Sequence, residues 1–443
     1  RGCAKAGSQR RGLDFWPFGA GGDRMLSPPP LRNDCFALPE GIDWMPVPLA
    51  LERLKDRMQC CVKVHTLPVD QALGAFLAQE VSAPNAHPPQ ANAAVDGFGF
   101  DGRLSQEAGA LHLPLAQGRA AAGHPFDGKL PYGEALRVLT GAPLPAGVDT
   151  VILQEDVSSD GEKLAFNGPL KRGANTRNAG EDVTQGTKLF SAGHRLEVGD
   201  LALLASVGVG QVHVFQRLKI GILSTGDELQ EIGQPLAHGQ IFDANRPMLL
   251  ALIDRLGYQA IDLGRASDDR DHLRAVLNAA AQSCDVMLST GGASDGDEDH
   301  MSALLNEADS LAIWRVAVKP GRPIAMGVWN AMPVFGLPGN PVAALVCALI
   351  FASPALRVLA GGGWVSPQSF LVPAGFRKTK KPGRVEYLRA RIEAGRVVIF
   401  PSEGSGRVSG LSWAQGLVEL GAGAQEINAG DPVQYIPFSS FGA

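Results

Sequence analysis

Four carboxylates within five residues, Asp295, Asp297, Glu298 and Asp299, follow directly on Ser289-Thr290-Gly291-Gly292-Ala293-Ser294. Crowded in this way they repel one another, and a divalent cation or a helix N-terminus must offset them. Gly291 and Gly292 let backbone N–H groups face a ligand with no Cβ in the way. Leu223-Ser224-Thr225-Gly226-Asp227-Glu228-Leu229 repeats the design of apolar segment, hydroxyls, glycine and acid. Lys319-Pro320-Gly321-Arg322-Pro323 sets two cations three apart on a Pro-Gly turn, a spacing suited to an oxyanion. Gly336-Leu337-Pro338-Gly339-Asn340-Pro341 leads into an apolar run, with Asn340 suited to the N-cap and Pro341 to the first helical position. The helix start then offers free N–H groups to an anion. Each motif alone also reads as plain structure: an acidic first turn, a solvated turn, a helix cap. Two hydroxyl-glycine-acid loops in one region argue for a shared cleft at the carboxyl ends of a parallel sheet, where such sheets bind ligands.

The elements that must position these residues are legible in the pattern. Ile220 to Leu223 and Val286 to Leu288 are short unbroken apolar runs, as in strands buried on both faces. Strand, loop and helix alternate from 218 to 362, which defines an α/β domain. Ahead of it, Pro48 to Met58, Val69 to Glu80 and Val198 to Val207 carry helical periodicity. They place a discontinuous helical linker domain at 46–90 and 180–217. Between its halves, 91–179 shows only short β-like runs such as Leu136 to Leu139 and Thr150 to Leu153, an inserted small β domain. Short strands at Tyr387 to Ile392, Arg396 to Phe400 and Pro432 to Ile436 give 366–443 the look of a C-terminal β-barrel. Residues 1–45 have nothing periodic to bury and read as a disordered extension.

A chain of 443 residues is too long for one core. At 45% hydrophobic and 19% charged residues it has the balance of a globular protein, and 54 glycines with 31 prolines favour turns and short strands. A formal charge of −5 gives no footprint for nucleic acid or an acidic membrane. The longest apolar run, Val342 to Ala352, is expected to stop at Ser353-Pro354, below the ~18 residues of a bilayer span. Six cysteines without C-x-x-C spacing suit reduced thiols in the cytoplasm. Gly292 to Gly296 fits the G-x-S-x-G elbow of serine hydrolases, but that fold needs its histidine well downstream of the serine. After Ser294 the only histidine is His300. A Walker A loop is absent as well.

Six segments in order, T-G-A-P-L-P-A-G-V-D-T-V-I-L-Q-E-D, S-T-G-D-E-L, G-Q-I-F-D-A-N, S-T-G-G-A-S-D-G-D-E-D, V-A-V-K-P-G-R-P and G-L-P-G-N-P-V-A, closely resemble the molybdopterin molybdenumtransferase family of molybdenum cofactor biosynthesis, from about residue 47 to the C-terminus. The resemblance implies a multidomain α/β plus β fold: a central three-layer molybdopterin-binding domain, an inserted β domain and a C-terminal β-barrel, in a homodimer with composite sites. It implies insertion of molybdate into adenylylated molybdopterin, with Mg²⁺ as cofactor and release of AMP. Lys319 and Arg322 would hold molybdate, helped by Arg389 and Ser409. Thr290, Gly291, Gly292 and Ser294 would cradle the pterin phosphate, with Ser224, Thr225, Gly226, Pro338, Gly339, Asn340 and Pro341 around them. Glu228, Asp268, Asp297 and Asp299 would serve Mg²⁺. Asp96, Thr140 and Asp182 match family positions that face the partner subunit's α/β domain. Contacts with the adenylyltransferase and with molybdoenzymes are implied too. Arg322 and Ala343 stand where the family usually has lysine and serine; the arginine keeps the charge and widens the donor fork. Two other readings share parts of this pattern. A molybdopterin adenylyltransferase has the T-G-G loop in a single small α/β domain, and a non-catalytic pterin-binding or assembly paralogue would use the whole scaffold.

Overall fold

The computed structural model describes residues 44–291, 300–307, 312–321, 323–404 and 406–442. Its centre is a six-stranded sheet built from β1 (Lys219–Thr225), β2 (Gln259–Ala266), β3 (Val286–Thr290), β4 (Ala312–Arg315), β5 (Pro323–Trp329) and β6 (Met332–Leu337), in the order β2-β1-β3-β6-β5-β4. The first four strands in that order run parallel, and β5 and β4 add antiparallel at one edge. Alternation decides which side chain meets which layer. Ile220, Ile222, Val286, Leu288, Phe335 and Leu337 point to one face, where helix α1 (Asn245–Arg255) packs with Leu249 and Ile253. Leu223, Met287 and Val334 point to the other, against Leu273 and Leu277 of α2 (Arg270–Ser283) and Met301 and Leu304 of α3 (His300–Glu307). Helices thus cover both faces, as a parallel sheet with near-continuous apolar strands requires.

The apolar run after Asn340 does not stop at Ser353-Pro354, as expected from the sequence. It forms one helix, Pro341–Leu359, of 19 residues. Pro354 is accommodated because residues 348–352 adopt a π turn just before it, which shifts the hydrogen-bond ladder. By length and composition this helix matches a bilayer span, yet 83% of its apolar window is buried inside the protein. It packs in the first core layer with Val346, Phe351 and Leu356. The helix expected near the start forms at Val47–Arg57, and its buried face (Val47, Ala50, Leu54) joins this same layer. Immediately before it, Met45 already pairs with Val316.

Val69 to Glu80 is not a helix. It makes one 3₁₀ turn, Val69–Gln71, and then runs extended, with Phe76 bridging Arg195 and Leu77 bridging Val214. Gly74 takes φ +76°, and its N–H donates to the Leu196 carbonyl, so the ladder of a helix never forms. The linker region is therefore mainly extended: Val64–Pro68 pairs antiparallel with Gln211–Phe215, and Val198–Ser206 is its helix, closed by a capping box of Glu197 and Asp200.

The segment between carries a six-stranded sheet ordered Thr150–Leu153, Gly97–Phe100, Ala135–Val138, Gly109–Ala120, Lys163–Gly168, Ser158–Ser159. In the C-terminal region Val385–Glu393 is central, flanked by Gly416–Leu420, with Pro432–Pro437 and Phe370–Pro373 beyond and Arg396–Ile399 folded back onto it. One short strand enters that sheet from the central domain. Val318–Lys319 pairs parallel with Val385 and Glu386.

Candidate active site

Three strand ends lie side by side because the parallel registers align them. Ser224 is opposite Thr290, and Thr290 is opposite Leu337. The hydroxyls of Ser224 and Thr290 sit 3.2 Å apart, and Thr225 Oγ1 donates to the Thr290 carbonyl at 3.3 Å. All three residues are buried. Gly291 follows with φ +85°; a Cβ there would lie 2.4 Å from the Thr225 carbonyl oxygen, so only glycine lets these two loops approach. Gly339 closes on the same spot, its own Cβ position being 3.8 Å from Gly291 Cα. Asn340 caps the following helix, accepting from the N–H groups of Val342 and Ala343 at 3.1 and 3.3 Å, with Pro341 at the first helical position. Gly226 sits with the carboxylate of Glu228 folded against it.

Asn245 belongs to this site and was not singled out by sequence, although it ends the G-Q-I-F-D-A-N segment. Its Nδ2 donates to the Gly339 carbonyl at 2.6 Å, while Oδ1 is buried with no partner, as is Ser289 Oγ. Two unmet buried polar atoms next to the glycine loops are what a polar ligand would satisfy.

The cation turn reaches the same place from its other side. A Cβ on Gly321 would lie 3.0 Å from Cys347 Sγ, 3.6 Å from Pro338 Cγ and 3.7 Å from Ala343 Cβ, so this turn rests on the Pro338 turn and the helix start. Contacts therefore run continuously from Thr225 through Gly291 and Gly339 to the turn after Lys319. Lys319 itself is engaged: Nζ lies 2.8 Å from Glu403 Oε2 and 3.4 Å from Glu386 Oε1. Arg389 lines a small cavity together with Lys319 and Pro320. Its guanidinium, 5% exposed, donates to the carbonyls of Ser402, Gly404 and Arg407 and lies over the Phe400 ring. It organises the 402–407 loop, and burial lowers its pKa. Ser409 starts a short helix beside it and is exposed. Arg322, Gly292, Ser294, Asp297 and Asp299 lie outside the described residues.

On the acidic side Asp227, Glu228 and Asp268 crowd together. The Asp268 N–H donates to Asp227 Oδ1 at 3.2 Å. Burial pushes the Asp268 carboxyl above its ordinary range, and the charges of Asp227 and Glu228 push the same way. Among the described residues no group of three or more His, Cys, Asp or Glu is placed to hold a metal.

Asp96 and Thr140 form a unit of their own in the inserted sheet region. Asp96 Oδ1 accepts from the N–H and the hydroxyl of Thr140, both at 2.7 Å, and these bonds hold its carboxyl below the usual range. Asp182 is exposed, on a turn whose N–H donates to the His87 carbonyl. Among the described residues, no hydrogen bond or ion pair joins Asp96, Thr140 or Asp182 to the strand-end loops. A cavity of about 500 Å³ lies away from all of these, lined by Phe76, Arg195, Phe215, Gly257 and Tyr258.

A mixed sheet with glycine-hydroxyl loops at its carboxyl ends, flanked by an inserted β region and a C-terminal sheet, defines a multidomain α/β protein whose strand-end loops suit a polar, anionic ligand. The family models agree along the chain: "MoeA N-terminal region (domain I and II)" matches residues 45–208, "Probable molybdopterin binding domain" residues 221–358, and "MoeA C-terminal region (domain IV)" residues 372–438. The chain is 33% identical over 397 residues to the molybdopterin molybdenumtransferase of Haemophilus influenzae, covering 88% of this chain and 98% of that protein. It is 30% identical to molybdopterin molybdenumtransferase 2 of Mycobacterium tuberculosis, covering 86% and 96%. A crystal structure of a molybdopterin biosynthesis MoeA protein from Pyrococcus horikoshii superposes with a TM-score of 0.76 at 30% identity, covering 89% of this chain and 99% of that one. The chain belongs to the MoeA family of molybdopterin molybdenumtransferases.

Proposed function

We propose that this protein inserts molybdate into adenylylated molybdopterin, releasing AMP and forming molybdenum cofactor. The observation that carries the reading is the unbroken contact path from the Thr290-Gly291 loop, through Gly339 and Pro338, to the turn after Lys319. A phosphate-bearing pterin and a tetrahedral oxyanion would need such neighbouring sites.

In this reading Thr290, Gly291 and the Asn340 cap region bind the pterin phosphate with backbone donors and hydroxyls, and Asn245 orients the loop at Gly339. Lys319 supplies positive charge for molybdate, with Arg322 beside it in sequence. Arg389 acts as a positioning residue that fixes the loop bearing Glu403, and Ser409 lies next to that loop. Glu228 and Asp268, with Asp297 and Asp299, would hold Mg²⁺; when bound, the ion supplies charge that stabilises the departing phosphate. Asp96, Thr140 and Asp182 would complete the site of a partner subunit in a cytoplasmic homodimer. The C-terminal sheet is taken as a closed barrel, and contacts with the adenylyltransferase and molybdoenzymes belong to the same reading. The matches outside the central domain favour this activity over that of a single-domain adenylyltransferase.

The test is AMP release from adenylylated molybdopterin with and without molybdate. Molybdate-dependent AMP release with molybdenum retained on the pterin is expected; pterin binding without either would make this a carrier instead.

A further inference from the structure

Around Lys319 the chain builds a closed square of charges. Lys319 and Lys378 face Glu386 and Glu403, and each carboxylate touches both ammonium groups. Glu403 reaches Lys319 at 2.8 Å and pairs with Lys378, while Glu386 reaches them at 3.4 and 3.3 Å. Two lysines so close would repel strongly without an anion between them.

The two carboxylates differ in how they are held. Glu386 lies within the strand Val385–Glu393, hydrogen-bonded to neighbours on both sides, and its side chain is 12% exposed. Glu403 hangs from the loop after Arg396–Ile399, and its side chain is 38% exposed. Burial would push its carboxyl up; hydrogen bonds and charge from Lys319 and Lys378 more than offset this and hold it below the ordinary range. The loop on either side is anchored by Arg389 through the carbonyls of Ser402 and Gly404, so the backbone stays while the side chain can swing. A small cavity opens beside it, lined by Lys319, Pro320, Arg389, Ser402 and Glu403.

We infer that Glu403 is a displaceable internal counter-anion: its carboxylate occupies the place of a tetrahedral oxyanion between Lys319 and Lys378. Lys378 is thereby a second cation of the oxyanion site, and this rests on the reading of Lys319 given above. A bridging carboxylate presents two oxygens to two ammonium groups, as one edge of an oxyanion tetrahedron would. With Glu386 held in its strand, the outward swing of Glu403 leaves the two lysines with one uncompensated positive charge, which an incoming oxyanion takes up. An attached competitor acts at an effective concentration of about millimolar or above, and weakens capture of the free ion accordingly.

The experiment uses inorganic molybdate as probe, with binding measured by equilibrium dialysis on the full chain. Glu403→Gln is expected to bind about tenfold tighter or better, and Lys378→Met about tenfold weaker than wild type. Unchanged or weaker binding by Glu403→Gln, while Lys319→Met loses binding, overturns the counter-anion and leaves the proposed activity standing. Wild-type binding by Lys319→Met instead removes the oxyanion site from this turn altogether. Melting curves verify folding, and Glu403→Ser replaces Glu403→Gln if that variant does not fold.

Discussion

Asn245 Nδ2 donates to the carbonyl of Gly339 at 2.6 Å, tying the first turn of one helix to the loop that opens another. Asp243 supports the arrangement, accepting from the N–H groups of Asn245 and Arg246 at 3.1 Å. The bond fixes Gly339 against Gly291, and it leaves Asn245 Oδ1 buried and unmet.

Asn245→Ala removes both the tie and the unmet acceptor. Losing a buried hydrogen bond costs about 1–2 kcal/mol, partly recovered because no orphan acceptor remains. Stability should therefore fall little, while affinity for molybdopterin falls about tenfold, read by fluorescence titration. A large drop in melting temperature with normal pterin affinity would make Asn245 structural only.

Much of this site was legible because it is local. Thr290-Gly291, Ser224-Thr225 and Asn340-Pro341 are contiguous in sequence, and glycine, hydroxyl and cap chemistry acts within a few residues. Asn245, Lys378 and Glu403 were missed because their roles come from register and loop return. Lys378 Nζ meets the Glu403 side chain only after Arg396–Ile399 folds back onto Val385–Glu393. The helix expected over Val69 to Glu80 failed for a related reason. Val69, Ala72 and Phe76 recur at helical spacing, yet Gly74 permits an extended path whose pairing with Arg195 and Val214 satisfies the backbone instead. Arg389 was implied by the family resemblance alone, and its use on three carbonyls was visible only in three dimensions.

Asp268 offers a test of the cation site with a definite sign. Its pKa is raised above 3.8 in the fold, so its charged form is penalised in the folded state. That penalty is absent below the ordinary carboxylate value, sets in as pH rises, and is complete above the raised value. At pH 7 Asp268→Asn should therefore melt higher than wild type without metal. Mg²⁺ should raise the wild-type melting temperature at pH 7, less so near pH 4, and should do little to Asp268→Asn. An equal Mg²⁺ response in both proteins would move the ion elsewhere.

Asp96 and Thr140 bond to each other and make no hydrogen bond or ion pair to the strand-end loops among the described residues; the proposed function has them act on the site of a second subunit. An Asp96→Ala chain and a Lys319→Ala chain should each be nearly inactive alone. Mixed dimers, verified by two different affinity tags, should recover about half of wild-type AMP release per dimer, since one of two composite sites is left whole. Verified mixed dimers with no recovery would count against shared sites.

Arg389 separates a positioning role from direct contact with the oxyanion. Three of its donors go to the carbonyls of Ser402, Gly404 and Arg407, and its plane lies 4.9 Å from the Phe400 ring centroid. Lysine keeps the charge but lacks the fork that reaches several carbonyls at once. Arg389→Lys should therefore loosen the 402–407 loop at a cost of about 1–3 kcal/mol locally. Faster hydrogen exchange at Gly404 and Arg407, and easier proteolysis there, are the expected signs. Because that loop carries Glu403, the molybdate concentration for half-maximal turnover should shift, while pterin affinity stays. Were Arg389 a direct ligand of molybdate instead, Arg389→Lys would keep the loop's exchange rates and lose oxyanion affinity alone.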